Sequence, residues 1–129
     1  MYRVSIHPGR AASARPAGLE DVRWQPPVDV IAETGRYVLR ADLPGVDPAG
    51  VEITMEDGVL RIAGERESAT AGDDVRRTRR ERVAGCFARS FRLPDDADPE
   101  AVSASSRHGV LEITVPRRER SRRIEVEAA

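Results

Sequence analysis

No lysine occurs anywhere in the chain; all 21 basic residues are arginine. That removes the P-loop lysine of nucleotide-phosphate sites, the Schiff-base lysine and the Ser–Lys hydrolase pair. Cysteine is nearly missing too. The single Cys86 excludes an internal disulfide framework and fits a reducing compartment. It reads better as a small buried apolar residue than as a redox-sensitive thiol. His7 and His108 are the only two histidines, each beside Pro or Gly, and read as solvated turn residues. A zinc site or an imidazole-based triad needs more ligands than these. No catalytic residue, cofactor or metal ligand is assigned.

Aromatic residues make up only 4% of the chain, so the core must be built from Val, Ile, Leu and Ala. That suffices for the two thin layers of one domain, not for a large core with a deep cleft. No apolar run approaches the ~20 residues of a membrane span. Charge of either sign is not in excess: the formal net charge is −1, which gives no general attraction to nucleic acid or membrane surfaces. Residues 1–18 lack the apolar stretch of a secretory signal, although they are acid-free and contain Arg and Ser, as organellar transit peptides do. Cytoplasm is the default compartment.

What is present falls into three zones. Residues 1–23, rich in Ala, Arg, Gly and Pro, show neither helical nor strand periodicity and read as a flexible N-terminal arm. Residues 24–116 carry strand signals throughout. Residues 117–129 are mostly Arg and Glu and read as a C-terminal extension.

Within the middle zone, Val28–Ala32 is mostly apolar and β-branched and follows Pro26-Pro27. Tyr37–Leu43 runs to the stop at Pro44-Gly45. Val51, Ile53 and Met55 alternate with Glu52, Thr54 and Glu56, and the hairpin signal Asp57-Gly58 leads into Val59–Ala63. Phe87, Arg89, Phe91 and Leu93 share one face of a strand that Pro94 ends. Ala101–Ser106, a turn at His108-Gly109, and Val110–Val115 complete about seven strands. The pattern predicts an all-β, immunoglobulin-like antiparallel β-sandwich.

Five strings occur in a familiar order over residues 24–116. They are Trp24–Val30, Ala41–Val46, Gly58–Arg66, Phe87–Pro94 and Ala104–Leu111. Together they closely resemble the small heat-shock protein family (Hsp20, α-crystallin), in particular its bacterial members. The resemblance implies an α-crystallin domain, a dimer assembled into a higher oligomer, and an ATP-independent holdase of the stress response that keeps partly unfolded clients from aggregating. It implies no cofactor and no enzymatic activity.

The resemblance also implies sites. Ile124 and Val126 match the family's C-terminal I-x-I/V motif, which docks on a neighbouring subunit; a strand paired within its own subunit is the alternative. The eight steps from Pro116 to Ile124 reach roughly 26 Å when extended. The receiving groove would lie between the strand of Val51, Ile53 and Met55 and the strand near Ser103, although the same alternation fits residues that simply face the core. Arg89 matches an arginine at the family's dimer interface. Its acidic partner is not fixed by the sequence; Asp73, Asp74 and Glu81 are candidates, and a snorkelling surface arginine is the alternative.

Residues 67–85, polar and with the basic cluster Arg76–Arg82, match the loop that bacterial members exchange with the dimer partner. The N-terminal arm, where the family captures clients, is shorter and poorer in Phe than is typical here; it offers Tyr2, Val4, Ile6, Leu19, Val22 and Trp24.

Other readings are a β-sandwich adaptor or co-chaperone domain, and a nucleic-acid binder using the arginine loop. The adaptor reading expects a monomer. The nucleic-acid reading lacks interleaved aromatic residues near the loop, so neither nucleic acid nor membrane is an expected partner.

Overall fold

The computed structural model describes residues 2–3, 6–8, 22–68, 72–118 and 126. Among the described residues, nine strands form two stacked sheets, and the only helical element is a 3₁₀ turn at Pro48–Gly50. The strands are β1 (Tyr2–Arg3), β2 (Ile6–Pro8), β3 (Val28–Ala32), β4 (Arg36–Asp42), β5 (Glu52–Glu56), β6 (Val59–Arg66), β7 (Gly85–Arg92), β8 (Ser103–Arg107) and β9 (Val110–Pro116). One sheet has the order β1-β8-β9-β4-β3, the other β2-β5-β6-β7. All pairings between strands are antiparallel except β2 with β5, which is parallel.

Alternation decides which side chains fill the space between the sheets. Tyr37, Leu39 and Ala41 of β4 and Leu111, Ile113 and Val115 of β9 form one inner face; all are buried. Ile53 and Met55 of β5, Leu60 and Ile62 of β6, and Phe87 of β7 oppose them. Phe87 is the one fully buried aromatic ring among the described residues, and it needs the glycine across from it. Gly64 pairs with Phe87, and a Cβ on Gly64 would stand 2.8 Å from the ring's Cζ.

Two hairpins turn on residues with positive φ, Asp57-Gly58 (51° and 78°) and His108-Gly109 (55° and 78°). This is the conformation whose twist matches antiparallel strands, and it favours Asp-Gly. His108 is thus an exposed turn residue. His7, expected in a turn, instead lies in β2 opposite Thr54.

The N-terminal zone also departs from the expected flexible arm. Two short stretches of it, β1 and β2, are paired with the sandwich. They were not legible as strands because each is only two or three residues long and owes its conformation to an unpaired sheet edge, not to its own pattern. Val22–Trp24 is likewise attached: the Arg23 N–H donates to the Cys86 carbonyl at 2.8 Å, and Trp24 bridges to Phe87.

β9 runs one residue past Val115, to Pro116, which stands opposite Arg36. The root of the extension is held as well. Arg117 bridges to Ala97, and its N–H donates to the Gly35 carbonyl at 3.0 Å.

Candidate functional site

The two strands expected to flank a groove, β5 and β8, occupy corresponding places. Without β1 and β2, each would be the last strand of its sheet. Two short pieces near the start of the chain close one each. Tyr2 and Arg3 stand opposite Ser106 and Ser105 of β8, and Ile6, His7 and Pro8 stand opposite Ile53, Thr54 and Met55 of β5.

With those pieces in place, Val51, Ile53 and Met55 belong to the buried core, at 3%, 0% and 2% exposure. The core-facing alternative of the sequence reading is therefore the observed one. Ser103 needs correction. It pairs with Thr114 on the outer face and is exposed, whereas Ala104 pairs with buried Ile113 and packs, with Val102, against the core. The reason is the two-residue period of a strand: moving one position along β8 moves to the opposite face.

Among the described residues, Arg89 forms no ion pair with an acid. Its Nη1 donates to the Pro26 carbonyl at 2.8 Å, and the guanidinium lies over the Phe91 ring, 4.8 Å from the centroid. None of the three candidate acids meets it. Glu81 accepts instead from Arg79 at 3.3 Å on the exposed loop, a pair of little energetic weight. Arg89 stands opposite Ile62 on a half-buried face, and the ring and carbonyl let its charged end leave the core without a counter-ion.

Trp24, assigned to client capture, is held at the edge of the core. Its Nε1 donates to the Gly85 carbonyl at 2.9 Å, its ring lies 5.2 Å from that of Phe87, and the Arg66 guanidinium stacks 4.4 Å from its centroid. Arg66 also donates from Nη1 to the Pro44 carbonyl at 3.0 Å and from Nε to that of Val83 at 2.8 Å. One side chain thus ties together the end of β6, the Pro44-Gly45 turn, Trp24 and the loop before β7.

That loop, residues 72–84, has no regular structure and is almost wholly exposed, including Val75 and Val83. A cavity of about 220 Å³ opens between the loop and the end of β6, lined among others by Arg66, Arg77, Arg80 and Arg82. Cys86 is half-buried next to it.

Sequence reasoning missed a knot at the root of the tail. Asp96, 8% exposed, accepts from the Tyr37 hydroxyl at 2.6 Å and from Arg117 Nε at 2.8 Å. Arg117 Nη1 donates to the Glu33 carbonyl at 3.0 Å, and its guanidinium lies over the Tyr37 ring. The Asp96 hydrogen bond raises the Arg117 pKa above its ordinary value, with burial opposing it. Nothing in Asp95-Asp96-Ala97-Asp98 distinguishes Asp96 from its neighbours. Its partners are 59 and 21 residues away.

Of the tail pair, Val126 is 91% exposed, whereas Ile124 lies outside the described residues, as do Val4 and Leu19. Tyr2 and Ile6 are placed by their backbone pairing alone. Among the described residues, no group of three or more His, Cys, Asp or Glu is arranged to hold a metal ion. No helix among them is long and apolar enough to cross a membrane.

Known proteins share this arrangement. A small heat-shock protein from Xylella fastidiosa, described as having a distinct high order structure, superposes with a TM-score of 0.72 at 42% identity, covering 82% of this chain and 97% of its own. The hspA protein of Xanthomonas axonopodis gives a TM-score of 0.68 at 46% identity, over 75% of this chain and 97% of its own. In sequence, the chain is 40% identical over 97 residues to a chloroplastic heat shock 22 kDa protein of Chlamydomonas reinhardtii, covering 72% of this chain but only 60% of that relative. An 18 kDa heat shock protein of Streptomyces albus G is 40% identical over 97 residues, with 75% and 68% covered. Residues 29–127 match the Hsp20/alpha crystallin family. The chain belongs to that family, the small heat-shock proteins.

Proposed function

We propose that this protein is an ATP-independent holdase chaperone that binds partly unfolded proteins and prevents their aggregation. Membership of a family whose general role is chaperoning supports the reading. The observation that carries it is the rim between β5 and β8. An apolar core reaches two sheet edges that, among the described residues, are covered by strands of two and three residues. An edge closed so lightly can be reopened, and apolar surface is worth ~25 cal/mol per Å² when a client buries it.

In this reading the chain self-associates. Ile124 and Val126 of one subunit add to the β5–β8 rim of another as an extra strand, while Arg89, Glu81 and the loop of residues 67–85 meet the partner in a dimer. Tyr2, Val4, Ile6 and Leu19 supply apolar contacts to clients. The Arg- and Glu-rich tail keeps the complex in solution, and the protein acts in the cytoplasm without a cofactor.

The test is light scattering of a heat-labile enzyme warmed with and without the pure protein, in buffer free of ATP. Suppression of scattering at near-stoichiometric ratios is expected. Scattering that rises unchanged would refute the holdase and favour an adaptor role for the same sandwich.

A further inference from the structure

Five arginines gather at the cavity between the end of β6 and the loop before β7: Arg66, Arg77, Arg79, Arg80 and Arg82. Glu67 and Glu81 are the acids of the lining, which leaves it a formal charge of +3 in a chain whose net charge is −1. Glu81 is already engaged by Arg79 at 3.3 Å. Among the described residues, Arg66, Arg80 and Arg82 form no ion pair with an acid. Arg66 donates to the carbonyls of Pro44 and Val83, and Arg80 to the Ser68 hydroxyl at 3.0 Å. Like charges held this close repel one another, and an anion placed among them turns the repulsion into attraction.

We propose that this cavity binds a chain of linked phosphates, whether free inorganic polyphosphate or the triphosphate end of a nucleotide. Arginine presents a planar fork of N–H donors that matches phosphate oxygens two at a time. Several such forks around one small cavity suit a ligand with negative charges on adjoining groups. Linked phosphates carry that pattern and a lone carboxylate does not.

Size and lining point the same way. At about 220 Å³ the cavity is smaller than the ~300 Å³ at which pockets begin to enclose a whole drug-sized ligand. Val83 and Ala84 are the apolar residues of its lining, and no aromatic ring is there for a base to stack on. The phosphates are therefore recognised, and whatever they are attached to stays in solvent. Arg66 belongs to β6, whereas Arg80 and Arg82 belong to the exposed, irregular loop. An anion shared between them fastens the loop to the end of the strand. Binding breaks no bond in the ligand, and it holds whether or not the chain is a holdase.

The experiment titrates sodium tripolyphosphate into the full-length protein by calorimetry, in low-salt buffer free of divalent metal. Three chains are compared: the unaltered one, Arg80→Gln with Arg82→Gln, and Arg40→Gln with Arg107→Gln. The last makes the same change of charge on the other sheet. All four positions are exposed, so the fold tolerates the changes. Binding about 10-fold weaker in the Arg80 and Arg82 variant is expected, against less than about 2-fold in the control. Equal weakening in both, or no binding to the unaltered chain, would overturn the site. ATP should bind about as tightly as tripolyphosphate, and adenosine not at all. Much tighter binding of ATP would mean that the base is read, against recognition of phosphates alone. A single-stranded oligonucleotide that displaces tripolyphosphate at equal phosphate concentration would make the loop a nucleic-acid contact instead. Slower backbone amide exchange over residues 76–84 should accompany binding, and unchanged exchange there would put the ligand elsewhere.

Discussion

Along one rim of the sandwich, β5 and β8 are each extended by a strand of the same chain, whereas along the other β3 is the last strand of its sheet, with Val30 48% exposed. The sequences of the two rims do not announce this difference. Val28-Asp29-Val30-Ile31 is as strand-like as Val51-Glu52-Ile53-Thr54. What separates them is what the chain has within reach. Residues 2–3 and 6–8 lie on one rim; on the other, Val30 is left exposed. An apolar edge left open is a template for pairing with another chain. Among the described residues, β3 is such an edge, and β5 and β8 are not.

The largest expected effect lies under the closed rim. Ile53→Ala removes a side chain with 0% exposure beneath both sheets and should lower the unfolding free energy by about 2–5 kcal/mol in denaturant titrations. A loss below about 1 kcal/mol would mean that this rim is loosely packed and the contrast with β3 overstated.

Next comes the root of the tail. Tyr37→Phe leaves Asp96 without its hydroxyl donor in a buried setting and should cost about 1–3 kcal/mol in the same assay. Faster amide exchange at Arg117 and Arg118 should accompany it, since the Arg118 N–H donates to the Asp96 carbonyl. If exchange there is unaffected, the knot does not anchor the extension.

Val30→Ala should be the mildest, within about 0.5 kcal/mol for an exposed site measured on dilute subunits. If its cost grows towards that of Ile53→Ala at concentrations where subunits associate, β3 is covered in the assembly. Concentration-independent values near zero would leave β3 a solvent-facing edge.

Much of the fold was legible because strands and turns are local. Glu52–Glu56 and Val110–Pro116 alternate visibly, and Asp57-Gly58 and His108-Gly109 are short-range hairpin signals that became tight turns with positive φ. The loop between β6 and β7 stood out by its polarity and arginine content. The candidate site was less legible. Alternation showed that Val51, Ile53 and Met55 share a face but not which one, and placing the groove at Ser103 missed the inward side by a single residue, Ala104 being the one that packs. Arg89 shares its strand face with Phe87, Phe91 and Leu93, which the alternation shows. The Pro26 carbonyl that receives it is 63 residues away and has no distinctive side chain to notice.

By itself the sequence determined the class of architecture and the succession of strands from Val28 onward, because these depend on residue type and on patterns a few residues long. Tertiary structure alone decided which rim is closed, that Asp96 joins Tyr37 to Arg117, and that Trp24 and two pieces of the first zone lean on the sandwich. These are pairings between distant segments. Each is selected by an edge or a buried polar atom left unsatisfied once the rest of the chain has folded, and that demand does not exist until the sheets do.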